Sequence, residues 1–399
     1  MLRRIMLMSA ATLLLAGPVA LAENAPGVTA TAIKIGNTMP YSGPGSAYGA
    51  IGKADAAYFQ MINDQGGVNG RKIDFVTLDD GYSPPKTVEQ TRRLVEQDEV
   101  AFIFNGLGTP TSSAVQKYLN QKRVPQLFVA TGASKWGDPA HFHWTMGWQP
   151  DYQTEARIYA KYILQNKPDA KISIIWQNDD FGKDYLIGMK AGLGDKYDKM
   201  VVKDVSYEVT DPTIDSQVVS LQASGADTLI IAATPKFAAQ TIRKVFDIGW
   251  HPLQLLTNVS NSVGAVMTPA GPEKGIGIVS TAYDKDPKDP AWVNDPGMAE
   301  WRRFMAKYLP DADVTDANYV YGFGAARTVV QVLKQCGDDL SRDNIMKQAA
   351  DLKDFALPTM LPGIKINTGP TDYYPIQTLQ LQRWDGKNWV LFGDVLSGS

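Results

Sequence analysis

The chain has 399 residues, more than one hydrophobic core usually spans, so two domains are expected. Its 39 Lys and Arg against 42 Asp and Glu give a formal net charge of −3, which does not favour a nucleic-acid partner. The single cysteine, Cys336, excludes an internal disulfide framework, so stability must come from core burial, for which 44% hydrophobic residues suffice.

The N-terminus reads as a secretory leader. Arg3 and Arg4 precede an apolar run from Ile5 to Ala16, and Ala20-Leu21-Ala22 forms a small-x-small cleavage site, so residues 1–22 are expected to be removed. No cysteine follows that site to carry a lipid anchor, and no later stretch approaches the roughly 18 apolar residues of a membrane span. A soluble, exported protein is expected.

After the leader, β-rich apolar runs alternate with segments of helical period, the pattern of an α/β protein with parallel sheets. The strand "IKIGNTM" (33–39) leads through "PYSGPGSAYG" (40–49) into a helix with Ile51, Ala54, Ala57, Tyr58, Met61 and Ile62 on one face. Gly66-Gly67 stops it, and "KIDFVTLDDG" is the second strand. A helix opened by Pro84-Pro85, the strand "VAFIFNG", the helix "TPTSSAVQKYLNQ" and the strand "PQLFVATG" complete one doubly wound lobe. A second series begins at "KISIIWQNDDFGKD" (171–184) and runs through "ADTLIIAATPK" and a helix closed by Gly249. The stretch "YDKDPKDPAWVNDPG" (283–297) reads as a loop. Two similar lobes joined by short connections imply a cleft between them.

Ligands of open α/β sheets sit at the carboxyl ends of strands, beside helix N-termini whose free N–H groups favour anions. Three successive strand ends fit: "PYSGPGSAYG", "GLGTPTSS" (106–113) and "VATGAS" (129–134). The last two offer Thr109, Thr111, Ser112, Thr131 and Ser134 beside glycines, a composition suited to a carboxylate, although each hydroxyl could equally cap its helix. The first loop is not a dinucleotide fingerprint, because Tyr48 stands where the third glycine belongs, and no Gly-Lys-Ser/Thr occurs for a phosphate loop. Nor does Gly-x-Ser-x-Gly fit Ser42 or Ser46. His141 and His143 share a strand face without a third ligand, and the Asp179-Asp180 pair reads as a cap, so neither a metal centre nor a catalytic constellation is expected. Among the 9 Trp and 17 Tyr, the loop-borne Tyr41, Tyr48 and Trp148, with Phe181, could wall an apolar pocket.

These segments resemble a known family. "IKIG…PYSGPGSAYG", "INDQGGVNGRKIDFVTLDDGYSPPKTVEQTRRLVEQDEVAFIFN", "VPQLFVATGAS" and "NDDFGKDY" are similar to the leucine/isoleucine/valine-binding periplasmic receptors of ATP-binding-cassette importers. The most specific matches are "Asn-x-x-Gly-Gly-Val-Asn-Gly-Arg" at 63–71 and "Asp-Asp-x-x-x-Pro" at 79–84. The resemblance implies two doubly wound Rossmann-like lobes, residues 27–147 with 282–375 and 148–281 with 376–399. Three hinge crossovers near Gly147, Ala282 and Ile376 would join them.

It also implies a ligand carboxylate held by Gly108 and Thr109 and by the loop of Ala130, Thr131, Gly132 and Ser134. Tyr48, Trp148, Phe181 and Tyr319 would line its apolar body, with Thr234 and Asn258 reading the far end. Asn258 stands where the family's amino-acid receptors place an acidic partner for the ammonium, and no Asp or Glu lies between Asp247 and Glu273. A buried ammonium without a counter-charge loses about 3–5 kcal/mol. The expectation is therefore a monomeric periplasmic receptor without cofactor or metal, delivering a small carboxylate, favoured as an aromatic acid such as a benzoate or phenylpropenoate, to a membrane permease. The alternatives are an amino-acid receptor whose charge comes from Asp151, Asp179 or Asp180, and a sensory receptor serving a signalling partner.

Overall fold

The computed structural model describes residues 24–398, so the expected leader lies outside the described residues. Two sheets organise the chain. The first has five parallel strands in the order β2-β1-β3-β4-β5, where β1 is Ala32–Met39, β2 Lys72–Asp79, β3 Phe102–Phe104, β4 Gln126–Val129 and β5 Thr145–Gly147. The second runs β12-β11-β10-β9-β8-β6-β7. Its strands are β6 (Ile172–Gln177), β7 (Val201–Tyr207), β8 (Thr228–Ala232), β9 (Leu253–Leu256), β10 (Val279–Ala282), β11 (Thr378–Trp384) and β12 (Trp389–Ser397). The last two pair antiparallel, whereas β6 to β10 are parallel.

Burial explains the sequence pattern. β3, β4 and β8 are buried at every residue, as expected of strands covered by helices on both faces, and they read as continuous apolar runs rather than alternations. Chain order 2-1-3-4-5 makes the first sheet reverse direction between β1 and β3, so the loops leaving these two strands meet at one edge. "PYSGPGSAYG" follows β1 and "GLGTPTSS" follows β3.

The chain passes between the sheets three times. It leaves β5 for the helix Tyr152–Asn166, which packs on the helix Asp180–Leu193 of the second sheet. From β10 it returns, by the loop 283–295, to the helices Pro296–Tyr308 and Asn318–Cys336. It crosses again before Thr378. The helix Asn318–Cys336 lies directly on the helix Gly49–Asp64 of the first sheet. At Gly322 a Cβ would sit 2.6 Å from the Ile51 carbonyl oxygen and 2.7 Å from Ala54 Cβ.

That approach is possible only without a side chain. Gly322→Ala should force the two helices apart and cost about 1–3 kcal/mol, an overpacking penalty read as a melting temperature several degrees lower. An unchanged melting temperature would mean that the helices do not close to this distance in solution.

Candidate functional site

One cavity lies at the carboxyl ends of the strands of both sheets. The first sheet contributes Tyr48, Tyr82, Leu107, Gly108, Thr109, Ala130 and Thr131, and the second Phe181, Thr234, Asn258, Val259 and Ala282. The crossings add Gln149, Tyr152, Tyr283, Asp284, Lys285, Asp286 and Tyr321.

The Asp-Asp motif explains how the first wall is set. Asp79 accepts hydrogen bonds from the backbone N–H groups of Tyr41 (3.0 Å), Ser42 (3.2 Å) and Gly81 (3.0 Å) and from Ser42 Oγ (2.5 Å). Partial burial would raise its pKa, but these bonds and the Lys86 charge outweigh it and hold the carboxyl at about 2. Asp80 does the same for the next turn through Tyr82 N–H and Thr87 Oγ1. The two acids thus shape the loops that carry Tyr48 and Tyr82.

Of the five candidate hydroxyls, Thr109 and Thr131 line the cavity, their Oγ1 atoms 2.5 Å apart. Thr109 opens the helix Thr109–Lys122, whose leading N–H groups have no partner within the helix, and Thr131 meets it from the loop after β4. Gly108 enters this helix at φ 98°, and a Cβ there would lie 2.5 Å from the Tyr82 ring, so the tight turn needs glycine. Thr111 Oγ1 instead donates to the carbonyls of Leu107 and Gly108, and Ser112 Oγ donates to that of Gly106. These two hydroxyls are spent on backbone carbonyls of the turn. Ser134 is turned to the second lobe: its N–H and Oγ donate to Asp184 at 2.8 and 2.9 Å, and it does not line the cavity.

Four other expected residues also lie off the cavity wall. Gly132 sits behind Tyr152, accepting that residue's N–H at 2.8 Å. Trp148 is fully buried, its Nε1 donating to Thr328 Oγ1 and its ring meeting Tyr283 and Tyr321 edge-on, so it backs the aromatic wall rather than forming it. Tyr319 is buried and offers its carbonyl to Trp301 Nε1. Tyr41 is held by Thr77 at 2.7 Å. Ala130, Phe181 and Thr234 do line the cavity; Phe181 packs on Tyr152 with ring centroids 4.7 Å apart, and the Thr234 N–H donates to Tyr207 Oη.

Asn258 reaches the cavity, but a carboxylate stands behind it. Its N–H and Nδ2 each donate to fully buried Glu155 at 2.9 Å, which leaves Oδ1 as the amide atom a ligand can meet. Glu155 also receives Thr281 Oγ1, Tyr159 Oη and Tyr185 Oη, so its oxygens are already committed. None of the three acids considered as substitutes lines the cavity. Asp151 and Asp179 accept backbone N–H groups as helix caps, and Asp180 pairs with Lys135 at 3.3 Å. The acids that do reach the cavity are Asp284 and Asp286, in the loop that sequence composition marks only as punctuation.

Burial pushes the Asp284 carboxyl up to about 8, partly opposed by the charge of Lys285, and burial raises Asp179 and Asp286 to about 6. Such groups keep their protons in the fold over a range where the unfolded chain loses them, near pH 4. Their contribution to stability is complete below about pH 4 and is lost as pH rises, through about 6 for Asp179 and Asp286 and about 8 for Asp284. The ligand-free protein should therefore melt at lower temperature at pH 8 than at pH 5, and Asp284→Asn should flatten the slope above pH 6. A variant with the wild-type slope would show that Asp284 is ionised throughout that range.

Comparison with known proteins places this geometry. The profile of the family described as "Periplasmic binding protein" matches residues 32–388. A Brucella suis protein described as "Leu/Ile/Val-binding protein homolog 1" is 24% identical over 315 residues, covering 77% of this chain and 79% of that protein. A Thermus thermophilus branched-chain amino acid ABC transporter structure with bound valine superposes with a TM-score of 0.82 at 14% identity, covering 92% of this chain and 97% of the other. A Thermomonospora curvata "Fatty acid ABC transporter substrate-binding protein" gives 0.78 at 22% identity, covering 94% and 95%. At these identities the structural likeness establishes the fold, two α/β lobes around a cleft; the family match, spanning most of the sequence, establishes that this chain is a member of the periplasmic binding protein family.

Proposed function

We propose that this protein is the solute-binding component of an ABC importer, capturing a small organic carboxylate outside the cytoplasmic membrane and presenting it, as a monomer closed around its ligand, to a membrane permease. The lobes would hinge near Gly147, Ala282 and Ile376. The observation that carries the reading is the Thr109–Thr131 hydroxyl pair, set at a helix N-terminus inside the cleft. Two hydroxyls and unpaired amides form charge-assisted hydrogen bonds to a carboxylate without a lysine or arginine. The valine of the Thermus thermophilus complex and the fatty acids named for the Thermomonospora curvata protein both carry that group.

The rest of the wall favours an aromatic body. Tyr48, Tyr82, Tyr152, Phe181, Tyr283 and Tyr321 line the cavity, and ring faces and edges bury planar groups well. Asn258, in place of an acid, supports a ligand that is not recognised as the family's amino-acid receptors recognise theirs. No chemistry is assigned to the site.

Thr109→Ala should weaken binding of every acid ligand by about tenfold or more, the range for a hydrogen bond to a charged group, while the melting temperature of the empty protein stays within a few degrees. Calorimetric titration reads this directly. An affinity that stayed within about twofold would place the carboxylate elsewhere.

A further inference from the structure

Asp284 stands two residues past the end of β10, at the second passage between the sheets. The residue is partly exposed, but its Oδ1 is enclosed and has no hydrogen-bond partner. Its neighbour does not neutralise it: Lys285 Nζ donates to Asp295 Oδ1 at 2.9 Å and to the Pro358 carbonyl at 2.8 Å, and lies over the Trp292 ring. Lys285 is the only basic residue among the described residues that line the cavity, so the carboxyl faces no available cation of this chain.

A second unpartnered polar atom comes to the same cavity from a different element. Tyr321, on the helix Asn318–Cys336, is 8% exposed, and its Oη has no partner. The ring cannot swing to find one, because it packs edge-on against Trp148 with centroids 4.8 Å apart, and Trp148 is fixed in turn by Thr328. An enclosed carboxyl oxygen and an enclosed phenol, each unpaired, both carry a desolvation cost that only a partner from outside the chain can offset. Asn258 adds an acceptor, since Glu155 holds its amide nitrogen away from the cavity. Hydroxyl and amide donors stand at the Thr109–Thr131 wall, and Asp284 and Asn258 add acceptors elsewhere in the cavity, beside the unpartnered Asn318 Nδ2 donor.

We propose that Asp284, flanked by Tyr321, forms a second subsite that takes a hydrogen-bond donor of the ligand, an ammonium or a hydroxyl group. The ligand is then an acid that also carries such a group, rather than a plain hydrocarbon acid. This rests on the carboxylate reading above and adds what the other side of the cavity selects.

The test is calorimetric titration of the mature protein, freed of co-purified ligand, against matched probes. One set is 3-phenylpropanoate, its 4-hydroxy derivative and phenylalanine; another is 4-methylpentanoate and leucine; a third is the amines 2-phenylethylamine and 3-methylbutylamine, which lack the carboxylate. A donor-bearing acid should bind about tenfold or more tightly than its donor-free match, and Asp284→Asn should abolish that preference while leaving the donor-free acid within about twofold. Whether the hydroxyl or the ammonium member gains identifies the donor. Tyr321→Phe should lower the same preference by several-fold and serves if Asp284→Asn folds poorly.

Equal affinities within each matched set, or a uniform loss across all members in Asp284→Asn, would overturn the subsite and leave the carboxylate cradle standing. Amines that bind without a carboxylate, and lose binding in Asp284→Asn, would keep the subsite and remove the cradle. A panel in which nothing binds would remove both.

Discussion

The second lobe is organised around an acidic side chain sealed inside the fold. Glu155 is fully buried, yet donors converge on it from four elements: Tyr159 one turn along its own helix, Tyr185 on the helix Asp180–Leu193, the backbone and side-chain amides of Asn258 after β9, and Thr281 on β10. Removing a carboxylate from water costs several kcal/mol, and only a full set of donors offsets it. Burial raises the pKa of this group and the hydrogen bonds pull it down, with burial the larger influence. The geometric consequence matters more than the net energy. The ends of β9 and β10 and two helices can satisfy one carboxylate only in a single mutual arrangement, and that arrangement aims Asn258 into the cleft with its oxygen outward. A buried polar network of this kind specifies one packing because any slippage leaves a member unpaired.

Besides packed apolar side chains, loop hydrogen bonds join the first lobe to this frame. Tyr48 Oη donates to the Val259 carbonyl at 3.1 Å, Gln177 Nε2 donates to Tyr82 Oη at 3.4 Å, and Ser262 Oγ donates to Asp316 Oδ1 at 2.8 Å. Tyr48 and Tyr82 are held by loops that Asp79 and Asp80 shape, and Val259 follows the Asn258 that Glu155 fixes. Each bridging bond therefore joins two rigid supports. Hinge closure of two such bodies needs few contacts, because neither side loses internal freedom when they meet. The lobes and the cleft residues are thus parts of one device, in which buried acids on both sides position neutral donors at the junction.

Much of this was legible in the sequence, and the exceptions share a cause. The strands β1–β4, β6 and β8, the three strand-end loops and the cavity positions of Tyr48, Thr109, Thr131, Phe181, Thr234 and Asn258 follow from local pattern and from the family resemblance. The placement of Ser134, Trp148 and Tyr319 off the wall depends on partners far along the chain, Asp184, Thr328 and Trp301, which no spacing rule supplies. The same holds for Asn258. A search of its own neighbourhood for an acid finds none, whereas Glu155, 103 residues earlier, lies against it through the packing of a helix on two strands. Asp284 was hidden differently: a loop rich in Asp, Lys and Pro reads as solvated, and only the fold shows that its first residues turn inward at the crossing while Lys285 is drawn away to Asp295.

An acid bound at the Thr109–Thr131 wall would meet no guanidinium or ammonium of this chain, because Lys285 is committed elsewhere. The attraction must come from oriented neutral dipoles, hydroxyls and helix amides, which hold an anion without forming a desolvated ion pair. This distinction has a functional side. A carrier has to release what it captures, and separating a buried ion pair exposes two charges to an incompletely solvated site, whereas neutral donors return to water at little cost when the cleft opens. In the proposed importer, dipoles that are strong only while both lobes enclose them would make affinity a property of the closed state. Opening alone would then weaken the hold on the ligand, with no separate chemical step needed for its transfer.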